Sequence, residues 1–201
     1  MTEIRSLTVA LALAAATSAA LLGGCVPLLV AGAVGGTALV ATDRRSVGAQ
    51  ADDEAVELKL SNAINAQYGD SVHAIATSYN GILLLSGEVP NQGVFASIGN
   101  LAKDTPRVRT VHNELAVGPN ADLSVRSNDT LITSKVKTRF LEANQTFSAT
   151  QVKVVTQRGV VYLMGIVTRT EGDAAAKIAS TTGGVVRVVK LFEYIAAPPP
   201  K

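Results

Sequence analysis

The chain has 201 residues, 47% of them apolar and 4% aromatic, with no Trp and a net charge of +2. One Cys excludes an internal disulfide, and two His without local partners (His73 and His112) give no metal-binding pattern. The length suits one average domain or two small ones, and much of the apolar surplus lies in the first 41 residues.

Residues 1–6 are polar and contain Arg5, and Leu7 to Leu22 form an apolar run built on Leu and Ala. That run is short for a membrane span but suits a signal-peptide core. It ends in Leu22, Gly23, Gly24 and Cys25, an aliphatic residue, two small ones and a cysteine, the pattern of a lipobox. Small residues there let the signal peptidase reach the backbone beside the thiol that is lipidated. The alternative is an uncleaved membrane helix, since Val26 to Ala41 is also apolar. Pro27, Gly32, Gly35 and Gly36 interrupt that second stretch and disfavour a helix. The expected product carries covalent lipid on Cys25 and no other cofactor. Val26 rather than Asp after the cysteine points to an outer-membrane destination, facing the periplasm.

A polar linker, Thr42 to Gly48 (TDRRSVG), precedes two copies of one pattern. Val56, Leu60 and Ile64 match Ile132, Val136 and Phe140, each set spaced i, i+4, i+8 on one helical stripe. Asp53 and Asp129 stand ahead of these stripes, where helix N-caps are expected. Gly81–Val89 (GILLLSGEV) then matches Gly159–Val167 (GVVYLMGIV), with both glycines at the same spacing. Strand-like runs, Val72–Tyr79 and Gln151–Gln157, precede each first glycine, so each copy predicts a hairpin, with Asn80-Gly81 as its strongest turn signal. Ala-rich helices follow at about Gln92–Lys103 and Glu171–Ser180, and Val-rich strands, Val108–Val117 and Val185–Ile195, close each unit.

The predicted class is α+β, two tandem units of α-β-β-α-β, each with two helices on a three-stranded mixed sheet. The expected division is a signal peptide at 1–24, a lipidated N-terminus and linker at 25–51, a first domain at 52–118 and a linker at 119–126. A second domain at 127–195 and a Pro-rich tail at 196–201 complete it.

This pattern, with ATDRRSVG (41–48), SNDT (127–130) and VYLMG (161–165) as the closest stretches, resembles the BON-domain family and its paired form in outer-membrane lipoproteins. The resemblance runs from the lipobox to Ile195. It implies a non-enzymatic envelope protein that binds anionic phospholipid and supports outer-membrane integrity.

Charge separates the two copies. Residues 52–118 carry 4 Lys+Arg against 8 Asp+Glu, a balance of −4, and residues 127–195 carry 9 against 5, a balance of +4. An anionic bilayer attracts each basic residue near its headgroups by about 1 kcal/mol, so the second domain is the membrane candidate. On its first helix Leu131, Ser134, Thr138 and Leu141 share a face away from the core stripe, with Lys135 and Lys137 at the borders and Arg139 close by. Leucines flanked by cations are an interfacial pattern. The first copy has Ala55, Leu58, Asn62 and Asn65 instead, with Ser61 and Ala63 in place of Lys137 and Arg139. Two other readings stand beside this one: the lysines only solvate the helix, or the other domain covers the leucines. Relatives can carry an aromatic at the position of Leu131, which implies shallower, more charge-dependent insertion here.

The acidic copy fits an electrostatic contact with the basic one or a partner protein of envelope assembly or division. No phosphate loop, metalloprotease motif or nucleophile–base pairing is legible, so no catalytic residue, metal site or small-molecule substrate is expected. The element order also occurs in KH-type nucleic-acid binders, but their GxxG clamp is missing, and no nucleic-acid partner is expected. Ser86, which stands where the second copy has Met164, reads as structural.

Overall fold

In the computed structural model, which describes residues 43–143 and 147–197, the chain builds the same five elements twice. The first set is α1 (Val47–Tyr68), β1 (His73–Tyr79), β2 (Ile82–Val89), α2 (Gln92–Lys103) and β3 (Thr110–Val117). The second is α3 (Leu123–Glu142), β4 (Val152–Gln157), β5 (Val160–Val167), α4 (Arg169–Ser180) and β6 (Arg187–Tyr194). Cys25, the signal segment and the last residues of the tail lie outside the described residues. None of the described helices is long and apolar enough to cross a membrane.

Each sheet has its hairpin strands antiparallel and its third strand parallel to the central one, in the orders β1-β2-β3 and β4-β5-β6. The parallel pairing needs a crossover, and α2 and α4 supply it. The expected helical stripes are buried: Val56, Leu60 and Ile64 on α1, Ile132, Val136 and Phe140 on α3.

The N-cap expectation for Asp53 and Asp129 is overturned. The helices begin earlier, at Val47 after the N-cap Ser46 and at Leu123 after Asp122, inside stretches expected to be linker. Asp53 and Asp129 instead sit mid-helix, buried, and point at the hairpin turns. Asp53 accepts from the backbone N–H groups of Asn80 at 2.6 Å and Gly81 at 2.9 Å, and from the Ser78 hydroxyl at 2.6 Å. Asp129 accepts from those of Arg158 at 2.7 Å and Gly159 at 2.8 Å. All four turn residues have positive φ, 51° and 75° in the first turn and 49° and 74° in the second. This type I′ geometry leaves two adjacent amides outside the ladder, and a carboxylate can accept both.

The second glycine of each Gly-x₅-Gly pattern is a close-approach position. A Cβ on Gly87 would lie 1.9 Å from the His73 carbonyl oxygen, and one on Gly165 would lie 2.4 Å from that of Gln151.

Strands β2 and β5 are buried on both faces, which explains their unbroken apolar runs. Leu83, Leu85 and Val89 face the helices of the first repeat, and Val161, Leu163 and Val167 those of the second. The other faces meet across the repeats, where Tyr79 and Leu84 pack with Tyr162, Met164, Ile166 and Leu191. The two repeats therefore share a core between their sheets.

Opposite charge rims this shared core. Lys153 reaches Glu57 at 2.7 Å and Arg158 reaches Glu88 at 2.7 Å, while Arg187 lies 3.8 Å from Glu114. Glu88 has no exposed surface and also accepts from the Gln157 amide at 2.8 Å. Burial alone would raise its carboxyl, but Arg158, the Ala121 N–H, Gln157 and His73 together hold it below the usual range. In the reverse direction Glu193 of the second repeat pairs with Arg109 and accepts from Asn80 of the first. Three carboxylates of the acidic repeat thus meet three cations of the basic one at this interface. Ser86 is fully buried within it.

Candidate membrane-contact face

The core stripe of α3 fixes what its opposite face presents. With Ile132, Val136 and Phe140 turned inward, Leu131 and Leu141 project outward, 58% and 65% exposed. The first repeat does not cover them. Lys135 and Lys137 are exposed and form no ion pair among the described residues, unlike Lys153, Arg158 and Arg187 of the same repeat.

The seven expected residues share one outward arc but line three depressions, one of which joins Ser134 and Lys137 to His73 and Ile75 of the first repeat. Leu131, Ser134, Lys135, Thr138 and Arg139 form one wall of a groove of about 460 Å³ whose other wall is Thr181, Thr182 and Gly183, just after α4. Lys137 and Leu141 belong to an adjoining cleft, where they meet Arg45, Tyr79, Val152 and Lys153. The Ser134 hydroxyl donates to the Thr130 carbonyl at 3.0 Å, so it faces its own helix and leaves its lone pairs outward.

Arg139 is differently placed from the two lysines. Its guanidinium donates to the Ile178 carbonyl and to the Thr182 hydroxyl, both at 2.8 Å. It thereby adds a charged donor to a last-turn carbonyl of α4 that also accepts from the Thr181 and Thr182 hydroxyls, and sets a cation on the negative end of that helix. Its charge, at the edge of the groove, holds α3 to α4. The cationic wall of the face is thus carried by Lys135 and Lys137.

Sequence reasoning missed the Thr181–Gly183 wall and the approach of Arg45, because both come from segments far from α3 along the chain. A turn rich in Thr and Gly after an Ala-rich helix was the available signal for the first. Nothing local marked the second.

The matching face of the first repeat has different chemistry. Leu58, 64% exposed, and Ile75, 43% exposed, line a shallow depression with Glu54 and Glu57; Glu57 is already paired with Lys153, and Ile75 also borders a depression that contains Lys137. Among the described residues no cluster of three His, Cys, Asp or Glu could hold a metal ion.

Comparison with known proteins agrees with this architecture. The chain is 41% identical over 176 residues to the outer membrane lipoprotein DolP of Haemophilus influenzae, spanning 87% of this chain and 90% of that one. It is 35% identical over 155 residues to a 21 kDa hemolysin of Actinobacillus pleuropneumoniae, covering 76% and 79% of the two chains. It is 30% identical over 153 residues to the osmotically-inducible protein Y of Escherichia coli, covering 74% and 76%. The BON domain matches twice, at residues 52–119 and 128–196, and the chain belongs to the BON-domain family as a tandem pair.

Proposed function

We propose that this is a non-enzymatic, lipid-anchored protein of the outer membrane, facing the periplasm, whose second repeat binds anionic phospholipid through the outer face of α3 in support of envelope integrity. Similarity to an outer membrane lipoprotein along most of the chain supports the location, and Cys25 is the attachment point. The observation that carries the lipid reading is the outer face of α3. Leu131 and Leu141 stay exposed there beside Lys135 and Lys137, which pair with no carboxylate among the described residues, while Lys153, Arg158 and Arg187 of the same repeat are paired at the interface. Two lysines near an anionic surface contribute about 2 kcal/mol, close to thirtyfold in affinity. Vesicle flotation of the chain lacking residues 1–25 tests this. Binding is expected with phosphatidylglycerol present, to fall steeply with salt, and to drop about thirtyfold in Lys135→Ala/Lys137→Ala. Equal binding to neutral vesicles would sink the charge-based mechanism.

A second reading rests on the first repeat. Its Leu58–Ile75 depression is edged by Glu54, whose carboxylate forms no ion pair among the described residues, and fits a basic, apolar segment of an envelope assembly or division protein. Photocrosslinking from positions 58 and 75 in cells tests it, and the absence of any protein adduct at both would reject it.

A further inference from the structure

Arg44 and Arg45 precede the first repeat in sequence, yet Arg44 is held by the second. Its guanidinium donates to both Glu171 carboxylate oxygens, at 2.7 and 2.8 Å, and to the Ile166 carbonyl at 3.0 Å. A two-pronged Arg–carboxylate contact fixes direction as well as distance. The two side chains are only 26% and 15% exposed. The hydrogen bond from Arg44 is the main reason the Glu171 carboxyl is held down to about 2. Glu171 itself is fixed, because it closes the capping box of α4 with Thr168.

Arg45 secures the next step of the chain. It lies 4.0 Å above the Tyr79 ring and pairs with Asp43 at 2.9 Å and Asp53 at 3.0 Å. It also lines the cleft that contains Lys137 and Leu141. That cleft is a poor anion site, because Arg45 and Lys153 are already matched by Asp43, Asp53 and Glu57. What the cleft does show is position. The chain coming from Cys25 meets the folded body on the second repeat, beside the C-terminal half of α3.

We propose that Asp43, Arg44 and Arg45 form a docking arm that seats the membrane tether on the second repeat, so that the lipid anchor and α3 address the same bilayer. This rests on the membrane reading of α3. From Cys25 to Asp43 the chain has 18 steps, and a chain of that length reaches about 60 Å when fully extended. A tether that starts beside α3 keeps the helix at high effective concentration near the leaflet that holds the anchor. With the arm released, the tether pivots at Ser46, and the acidic first repeat is as free to face the bilayer as the second. Arg44 is here a positioning residue, acting through Glu171 on where the tether begins.

The test uses the full lipidated chain in vesicles containing phosphatidylglycerol, with an environment-sensitive fluorophore on Leu131→Cys, Cys25 being blocked by its lipid. Two readouts are taken for the parent, Arg44→Ala and Arg44→Lys: the rate of tryptic cleavage after Arg45, and the fraction of fluorophore in the bilayer. Arg44→Ala is expected to be cleaved about tenfold faster or more, since cleavage follows the population of the released arm. Its bilayer-contacted fraction is expected to fall about threefold. Arg44→Lys, which keeps one contact to Glu171, should fall between, and the thermal midpoint should stay nearly unchanged in both. Cleavage of Arg44→Ala at the parent rate overturns the arm. Faster cleavage with undiminished bilayer contact overturns its coupling to α3 while leaving the membrane reading intact. No contact even in the parent removes the membrane reading and this inference with it.

Discussion

Glu88 gives the sharpest energetic test of the shared core. Its carboxylate is fully buried and is held by Arg158 at 2.7 Å, Gln157 at 2.8 Å and His73 at 3.2 Å. Glu88→Ala removes the acceptor for all three and leaves a void between the sheets. Breaking a buried ion pair from one side costs about 3–5 kcal/mol. Arg158 keeps 46% of its side chain exposed and can regain water, which places the cost near the low end, about 3 kcal/mol. For a body of this size that is a fall in Tm of about 6–12 °C. Scanning calorimetry is the assay, with one cooperative transition expected in the parent because the repeats share apolar surface. A shift below about 2 °C would refute the reasoning, since it would mean Glu88 holds nothing together. The acid limb follows from the same group. The folded carboxyl lies below its ordinary value of 4.5, so its stabilisation is present above that pH and is lost as pH falls through the folded value. Glu88→Gln should therefore show a flatter loss of stability below about pH 4.5 than the parent.

Other expectations concern the turns, the glycines and the two kinds of cation. Asp129→Ala frees two turn amides and should cost about 2 kcal/mol in urea unfolding, and Asp53→Ala, with Ser78 and Arg45 as further partners, should cost more. Gly165→Ala forces a methyl against the Gln151 carbonyl and should destabilise by about 1–3 kcal/mol, with Gly87→Ala at least as damaging because its φ is also positive. Arg139→Ala should lower stability by about 1 kcal/mol through the loss of its contacts to α4. In flotation it should reduce vesicle affinity less than Lys135→Ala does. The reverse order would place the Arg139 charge at the membrane rather than on the helix end.

How much of this was legible in the sequence depended on the range of the signal. The paired glycines, the doubly apolar central strands and the helical stripes act between near neighbours or repeat exactly, and they predicted both sheets and all four helices. The opposite charges of the repeats also carried information, and they meet across the interface. Asp53 and Asp129 misled because an Asp ahead of an apolar stripe looks like a local cap. Their true partners are turn amides that only the folded hairpin brings within reach. Arg44 gave no hint of its role, since Glu171 lies 127 residues away along the chain. For α3 the sequence found the exposed leucines and lysines but not the contacts of Arg139 to the C-terminal end of α4, which a helical wheel does not show.

The most direct test of the membrane account is spin-label depth measurement on the chain lacking residues 1–25, which has no native cysteine. Single labels at positions 131, 141 and 58 would be compared on vesicles with and without phosphatidylglycerol. The account predicts that labels at 131 and 141 enter the bilayer interface only when the anionic lipid is present, while the label at 58 stays in water. Immersion of position 58, or silence at 131 and 141 on anionic vesicles, would contradict it.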